Sequence, residues 1–433
     1  MQKIQGFLKF LTTCAVLATL PVACVHPPET TCCRFGHHRD RTEDIHEAVA
    51  AWLRDYPTEK RVAEMTQLAE QIVTRLEAGG SLYLAGESGF CDELDDRAGG
   101  LPFANSWNVT QRMTTNDVLL VGFFDGSSKA ARQFKPAFIG QNNGRFTKAL
   151  TVVIGSARWP LVEKMCGIAD PVRWQAGLHL LDTDVPAARD MQSCAVAQVA
   201  TIATACALEG EMIAAASRRG RTLAFYPSMF APGGSEYGEQ IKGRVFLDEP
   251  KVAPVAAGHM AREYFKTCRE QVEAFLDSDQ PAQVRKAAQR MAECQQGGGT
   301  IFTVTWGHVL QRGATVPPEL ERLALYSAAW SWKSPQGLKT NDLLCVIGYL
   351  DYPKAEVEGA RSNGVAAVTL SVAGGPAVRP DVTDIQCFWK AYDGCVEVPG
   401  YRYKALASSG VVMTAVWYSL MDEARALVAA PAP

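Results

Sequence analysis

The sequence predicts an α/β protein made of two similar halves, each with a doubly wound parallel sheet covered by helices on both faces. Three observations support this fold class. Apolar segments of strand length alternate with longer segments of helical period through most of the 433 residues. The strand-like segments are continuously apolar, which is typical of strands buried on both faces. The order of the segments then repeats in the second half of the chain.

Two local sequences repeat together with that order. The segment AGGSLY at 78–83 reappears as GGGTIF at 297–302, and TNDVLL at 115–120 reappears as TNDLLC at 340–345. In both copies glycines end a helix and lead into a strand, and Asn-Asp introduces the next strand. We therefore expect an internal duplication in which each copy is a complete α/β domain.

The predicted elements follow one order in both halves: two helices, four strands and a closing apolar helix. In the first half they lie at 42–56, 59–77, 81–85, 118–123, 150–154, 178–181 and 194–216. In the second half they lie at 261–276, 280–295, 300–305, 343–347, 366–372, 385–389 and 407–427. The predicted domains are 43–217 and 259–433. Between them, 218–258 is a Gly- and Pro-rich connector that either lies over a site or only links the domains.

The N-terminal segment lies outside both domains. A basic start, a short apolar run and the pair Ala23-Cys24 indicate an export signal, and this pair resembles the end of a bacterial lipobox. We predict a lipoprotein-type signal peptide at 1–24 and a polar tether at 25–42. The protein is then exported and anchored to a bacterial membrane, in the periplasm or at the cell surface, through lipid on Cys24. Plain secretion is the alternative.

Composition limits the partners and cofactors. Apolar residues make up 47% of the chain, charged residues 21%, and the formal charge is −3, so nucleic-acid binding lacks electrostatic support and is excluded. Neither G-x-G-x-x-G after a strand nor G-x-x-x-x-G-K-[ST] occurs, and no cofactor is predicted. The tether clusters Cys32, Cys33, His37 and His38, but their spacing fits no standard zinc pattern, so no metal site is predicted.

Two Gly/Ser loops follow predicted strands in the first half. The strand at 81–85 runs through GESG at 86–89 into a helix, and the strand at 118–123 ends in FDGSS at 124–128. Free N–H groups and the dipole at a helix N-terminus favour anions. Ligands of doubly wound sheets bind beyond the carboxyl ends of strands. The two loops therefore predict an anion site if their strands are neighbours; the alternative is that each loop merely turns the chain.

This order of features resembles the sugar isomerase (SIS) family of phosphosugar-binding domains, which are flavodoxin-like. AGESGF at 85–90 resembles the first loop of the family, and 117–128 resembles the second. RAGGL at 97–101 is similar to a sequence after the first helix of some members, and WGH at 306–308 is similar to the Gly-His version of the first loop. The resemblance covers most of both predicted domains.

The resemblance implies a ligand and an arrangement of domains. In the family, serines of both loops hold the phosphate of a phosphosugar. By position these are Ser88, Ser127 and Ser128, with Glu87 and Gly89 in the same first loop. Paired domains of the family build their sites at the interface between them. We therefore expect an intramolecular pseudo-dimer, compatible with a monomeric chain, whose partner is a sugar phosphate or a similar anionic sugar.

Catalysis has weaker support than binding. Glu93, on the helix after the first loop, is a candidate base for aldose–ketose isomerisation; the alternative is a solvated carboxylate in an acidic run. His308 is a weak second candidate, because a lone histidine at a loop is more often structural. The closing helix of the first half has Glu209 and Glu211 but lacks the histidine that the family's isomerases often place there.

Three functions remain open at this point. The first is binding or sensing of a phosphosugar, and the second is a sugar-phosphate isomerase. The third is an envelope scaffold whose sites have decayed. The second half differs from the family pattern, since its second loop, YLDYP at 349–353, has no serine. Phosphate binding is therefore expected in the first half.

Overall fold

The computed structural model describes residues 40–95, 97–108, 112–124, 149–160, 162–163, 177–305, 316–327, 337–348, 354–372, 382–389 and 392–430. Residues from Asp40 onward form one compact unit. The predicted signal peptide, its Cys24 and most of the tether lie outside the described residues. The domain boundaries stay predictions.

The first half contains helices and strands in the predicted order. They are α1 (Arg41–Asp55), α2 (Glu59–Glu77), β1 (Leu82–Gly86), α3 (Ser88–Asp95), β2 (Ala104–Ser106), β3 (Val118–Gly122), β4 (Leu150–Gly155), β5 (Leu178–Asp182) and α4 (Met191–Arg218). The connector adds β6 (Thr222–Leu223), α5 (Gly234–Ile241) and β7 (Phe246–Leu247). The short edge strand β2 was not predicted, because its three residues ANS carry no apolar run.

The second half repeats that order. It contains α6 (His259–Leu276), α7 (Gln280–Gln296), β8 (Ile301–Thr305), a 3₁₀ turn (Pro318–Leu320), β9 (Leu323–Ser327), β10 (Leu343–Ile347), α8 (Lys354–Ser362), β11 (Ala366–Val372), β12 (Thr383–Cys387), β13 (Gly394–Val396), β14 (Ala405–Ala407) and α9 (Ser409–Ala429). The strands β13 and β14 form a small antiparallel hairpin just before α9.

The two large sheets have the same strand order. The first is β2-β1-β3-β4-β5 and the second is β9-β8-β10-β11-β12, and all neighbouring strands within each sheet are parallel. In each half the second strand lies on one side of the first strand and the third strand lies on its other side, as in doubly wound folds. The predicted fold class, α/β with two parallel sheets in two domains, is confirmed.

The repeated Asn-Asp sequence performs the same structural task in both halves. The carboxylate of Asp117 accepts the backbone N–H of Ser81 at 2.9 Å, and that of Asp342 accepts the N–H of Thr300 at 2.9 Å. Each aspartate also accepts the N–H of the residue three positions before it, at 2.5 and 2.7 Å. Both side chains are buried. The repeated sequence therefore joins the starts of two neighbouring strands through an aspartate.

The asparagine before each aspartate satisfies the end of a helix. Asn116 donates a side-chain N–H to the carbonyl of Ala78 at 3.0 Å, and Asn341 donates to that of Gly297 at 3.0 Å. These carbonyls lack partners in the last helical turn. A Cβ on Gly80 would overlap the carbonyl oxygen of Asn116, so this glycine is required by close backbone approach. Helix ends and strand starts are therefore built alike in the two halves.

Helices α2 and α4 of the first half start with side-chain caps. Thr58 accepts the N–H of Arg61 at 3.3 Å, as expected from its place before α2. A reciprocal capping box between Asp190 and Ser193 begins α4 three residues before the predicted start. The strand β12 also begins two residues early, because the hydroxyl of Ser371 on the neighbouring strand donates to Asp384 at 2.9 Å. The polar side chain of Asp384 is thereby held within the strand.

A layer of helices lies between the two sheets and joins the halves. Helix α4 packs on α9 and α6 of the other half as well as on α2, and α1 packs on α6 and α9. By length and apolar character α4 is the one helix among the described residues that could cross a membrane, but 78% of its most apolar stretch is buried inside the protein. It is therefore the central core helix of this layer.

A buried carboxylate ties this layer together. Glu211 of α4 accepts the N–H groups of Gly258 at 2.8 Å and of Ala261 at 3.1 Å, at the start of α6. It also accepts the hydroxyl of Thr66 from α2 at 2.9 Å. The first helix of the second half is therefore capped from the first half.

The connector packs against both halves. Tyr226 exchanges backbone hydrogen bonds with the turn after α3, accepting from Gly99 at 2.7 Å and donating to Gly100 at 2.8 Å. From the second half, Tyr403 donates its hydroxyl to the carbonyl of Pro232 at 3.0 Å. A Cβ on Gly99, whose φ is +85°, would lie 2.9 Å from the backbone nitrogen of Ala407. The RAGGL sequence thus serves close backbone packing between the halves.

Candidate functional site

The two loops singled out in the sequence leave neighbouring strands. In the first sheet β1 pairs in parallel with β3, and Gly86 stands opposite Gly122 at their carboxyl ends. Because β2 lies on the other side of β1, the chain reverses its direction across the sheet between β1 and β3. This switch point is where doubly wound sheets form their ligand crevice. The loop residues Ser127 and Ser128 lie outside the described residues.

Glycines allow the two strand ends and α3 to pack closely. Gly86 has a φ of +115°, and a Cβ there would overlap the carbonyl oxygen of Gly122. That oxygen accepts the backbone N–H of Glu87 at 3.1 Å. A Cβ on Gly122 would in turn overlap the ring of Phe90 on α3. The first turn of α3 is therefore placed directly against the end of β3.

Helix α3 starts at the predicted loop. Its first residue is Ser88, and the carbonyl of Glu87 accepts the N–H groups of Phe90 at 3.0 Å and Cys91 at 3.2 Å. Gly89 is buried in the first turn. Glu87 is only 2% exposed, so a protein carboxyl already lies inside the molecule at the helix end that favours negative charge. Any anion bound at this end would share it with Glu87.

A buried ionic cluster joins α3 to the second half. It consists of Glu93, Arg97, Asp393 and Ser409. The guanidinium of Arg97 forms an ion pair with Glu93 through Nη1. Its Nη2 lies 3.2 Å from Oδ2 of Asp393 and donates to Oγ of Ser409 at 2.9 Å. None of the three charged side chains is more than 7% exposed.

The ionic cluster also caps the last helix. The backbone N–H of Ser409, the first residue of α9, donates to Oδ1 of Asp393 at 2.8 Å, and its hydroxyl donates to Oδ2. A Cβ on Gly410 would lie 2.9 Å from Oε2 of Glu93, so glycine lets α9 begin directly on the ion pair. Asp393 has a φ of +59° and Tyr392 a φ of +67°. The backbone therefore takes a left-handed turn to deliver this carboxylate.

Burial sets the protonation tendency of Glu93. Loss of solvent raises the pKa of Glu93, the charge and hydrogen bond of Arg97 oppose that rise, and the charge of Asp393 adds to it. Among the described residues, Oε1 of Glu93 is buried and accepts no hydrogen bond. The alternative interpretation as a solvated helix-face carboxylate is therefore wrong. Its role as a base stays a prediction, since one of its oxygens is paired with Arg97.

A second buried carboxyl lies on α4. Glu209 is 3% exposed, and burial alone raises its pKa well above the usual value. Within the described part of the chain it has no hydrogen-bond or ion-pair partner for Oε1. Glu211, two residues on, is by contrast fully bonded by the start of α6. Burial of Glu209 therefore favours its neutral form.

The predicted site residues fall into two groups. The structure brings Glu87, Ser88 and Gly89 to the end of β1, and Glu93 to the ionic cluster. Three further predicted residues lie outside the described residues: Ser127, Ser128 and His308. The sequence interpretation missed Arg97, although it follows Glu93 by one helical turn, a spacing that favours an ion pair. It also missed Asp393 and Ser409, which have no local signal because they are about 300 residues away.

Comparisons with known proteins returned structural likenesses alone. No protein family profile matches the chain, and no curated protein matches it in sequence. The chain is similar to the C-terminal domain of glucosamine-fructose-6-phosphate aminotransferase from Francisella tularensis, with 9% identity over 91% of this chain and 97% of that chain, at a TM-score of 0.49. It is also similar to tagatose-6-phosphate ketose/aldose isomerase from Escherichia coli, with 13% identity over 89% of this chain and 93% of that chain, at a TM-score of 0.45.

At TM-scores below 0.5 these likenesses add no weight to the site, which rests on the strand order and contacts described above. Phosphosugar binding therefore stays a prediction from the resemblance in the sequence.

Proposed function

We propose that the chain binds a phosphosugar or a related anionic carbohydrate at the carboxyl ends of β1 and β3. One observation carries this proposal: the GESG and FDGSS loops leave neighbouring strands at the switch point of the first sheet. Ligands of doubly wound sheets bind at this point, and the serines of the two loops suit an anion. The second sheet has the same switch point, but its second loop lacks serine.

The residues at this point suit a sugar that carries an anion. Ser88, together with Ser127 and Ser128 on the loop after β3, supplies hydroxyl groups that donate to phosphate oxygens. The start of α3 adds backbone N–H groups. The buried carboxyl of Glu87 disfavours a phosphate in direct contact with it, and it is suited to accept sugar hydroxyls instead. The proposed ligand therefore combines sugar hydroxyls, which suit Glu87, with an anion, which suits the serines.

An isomerase is the second candidate, favoured by one observation. Glu93 is buried and its pKa is raised, as the pKa of a general base is in many enzymes. Its ion pair with Arg97 and the absence of histidine on α4 favour binding over conversion. If the isomerase proposal is right, fructose 6-phosphate incubated with the protein will give an aldose phosphate, and Glu93→Gln will abolish the product.

A thermal-shift titration with fructose 6-phosphate tests the binding proposal. We expect a concentration-dependent rise in the melting temperature of the full chain, lost in the double variant Ser88→Ala, Ser127→Ala. Ser362→Ala, a serine replacement on the exposed end of α8, is the matched control and should keep the rise. An equal rise in the double variant contradicts the proposed site.

The location of the protein is a separate proposal. We propose that the chain is exported and lipidated on Cys24. In a bacterial host, the wild type should then sediment with membranes and Cys24→Ser should not. A wild type found in the soluble fraction contradicts the anchor.

A further inference from the structure

We propose that the ionic cluster of Glu93, Arg97, Asp393 and Ser409 is a positioning device, through which the second half holds α3 and the binding loop of the first half in place. This inference deepens the proposed function, because it concerns the same loop. It also makes a claim about the ligand-free protein that stands independently of any ligand.

Helix α3 is too short to be stable on its own. It has eight residues, and isolated helices of fewer than about 12 residues are marginal in water. Its position therefore depends on tertiary contacts. Phe90 and Leu94 supply apolar contacts within the first half, at 0% and 1% exposure. Glu93 pairs with Arg97, and Arg97 supplies the polar contacts to Asp393 and Ser409 of the second half.

The cluster is close enough to the loop to control it. Glu93 follows Ser88 by five residues, which is about 7.5 Å along a helix axis. A rotation or shift of α3 at Glu93 therefore moves the residues that begin the helix. Since Glu87 and Gly86 pack directly on Gly122, such a movement also opens the contact between the ends of β1 and β3.

The second half holds its side of the cluster in a constrained conformation. Tyr392 and Asp393 both have positive φ, a sparsely populated region for non-glycine residues. Backbone strain of this kind persists only where surrounding contacts impose it. Arg97 and the start of α9 supply such contacts to the carboxylate of Asp393, so the ionic cluster helps to hold the strained turn.

The chain offers a matched control for Asp393. Asp184 also has a positive φ, +55°, and also pairs with an arginine, Arg158, at 2.9 Å. Both partners of this second pair are more than half exposed and belong to the first half. Asp393→Asn and Asp184→Asn therefore make the same chemical change in the same backbone conformation, and they differ in burial and in the halves they connect.

Hydrogen exchange of the full chain without ligand tests the device. In Asp393→Asn we expect at least tenfold faster exchange of the α3 amides, including those of Phe90 and Cys91, while amides of β10 keep the wild-type rate. Asp184→Asn should leave both unchanged. Wild-type exchange in α3, or equal acceleration in α3 and β10, overturns the proposal.

If Asp393→Asn does not fold, Ser409→Ala is the second variant, because it keeps every charge of the cluster. It should accelerate exchange of the α3 amides at least threefold, and an unchanged rate in α3 overturns the proposal as well.

Calorimetric titration with fructose 6-phosphate separates this inference from the proposed function. If the device positions the loop, Asp393→Asn binds at least tenfold more weakly than Asp184→Asn. Equal affinity in the two variants overturns the role in positioning. A wild type that binds no sugar phosphate overturns the proposed function, and the exchange experiment still decides whether the cluster holds α3.

Discussion

At the amino ends of their central strands, the first and second halves use the same residues for the same contacts. Asp117 and Asp342 each bond the start of the neighbouring strand at 2.9 Å, and Asn116 and Asn341 each bond the end of a helix at 3.0 Å. At the carboxyl ends the halves differ, with GESG and FDGSS in one and WGH and YLDYP in the other.

This difference distinguishes residues that build the fold from residues that could bind a ligand. The backbone N–H groups at the amino ends need an acceptor in both halves whatever the protein binds, so the aspartates are required twice. Loops at the carboxyl ends carry no such requirement and are where ligands bind. The sequences that repeat in both halves therefore indicate the fold, and the loops that differ between the halves indicate the function.

The largest effect is expected from removing the repeated aspartates. Asp117→Ala and Asp342→Ala each leave two backbone N–H groups without their acceptor, which should cost about 2–5 kcal/mol of unfolding free energy. Chemical denaturation of the two variants measures this. If the two variants lose amounts of unfolding free energy that differ by more than a factor of two, the two aspartates do not have equivalent roles in the two halves.

The contact between the halves should weaken in mild acid. His46 of α1 is buried and stacked on Phe275 of α6 with ring centroids 4.5 Å apart, and burial lowers its pKa from 6.5 to about 4. Its stabilising contribution is complete above pH 6.5 and is lost as the pH falls toward 4, amounting to about 3 kcal/mol. The unfolding free energy of the wild type, measured between pH 7 and 4, should therefore fall as the pH falls; this decrease with pH is the slope compared below.

His46→Phe keeps a ring against Phe275 but cannot titrate. The unfolding free energy of this variant should therefore fall less steeply with pH than that of the wild type. The exposed His259, replaced by Gln, is the control and should leave the slope unchanged. A wild-type slope in His46→Phe would assign the acid sensitivity to other groups.

The two glutamates of α4 should respond in opposite directions. Glu211→Gln weakens the cap of α6 and should cost about 1–3 kcal/mol at pH 7. Glu209 has a raised pKa, so its favourable contribution is complete at low pH and is lost as the pH rises through that pKa. Glu209→Gln should therefore gain stability relative to the wild type as the pH rises above 4.5, measured by denaturation at each pH. A difference between Glu209→Gln and the wild type that stays constant with pH would contradict the raised pKa of Glu209.

The smallest effect is expected at the exposed pair of Arg158 and Asp184. Each side chain is more than half exposed, so solvent screens the pair. Asp184→Asn should show no measurable change in stability. A loss of unfolding free energy comparable to that of Asp342→Ala would mean that burial does not explain why Asp342 matters more for stability than Asp184.

Much of the fold could be predicted from sequence because it is encoded locally. Continuous apolar runs marked β1, β3, β4, β10 and β11, and Thr58 marked the start of α2. The repeat of TND revealed the duplication. The edge strand β2 escaped notice, since its pairing with β1 depends on the neighbouring strand and not on its own three residues.

The site could be predicted only in part, for a physical reason. The GESG loop is a local pattern, and its place at the switch point follows from the strand order. The burial of Glu93 depends on α9, which begins more than 300 residues later, and its acidic neighbours suggested a solvated surface instead. The partners of Arg97 are likewise brought together only by the packing of the two halves.

The central claim is that the halves share a scaffold but that only the first binds the ligand. Calorimetric titration of the full chain with fructose 6-phosphate measures this directly through its stoichiometry. We expect one site per chain, lost in the double variant Ser88→Ala, Ser127→Ala and retained in Ser362→Ala. Two equivalent sites per chain, or one site unaffected by the double variant, would contradict the account.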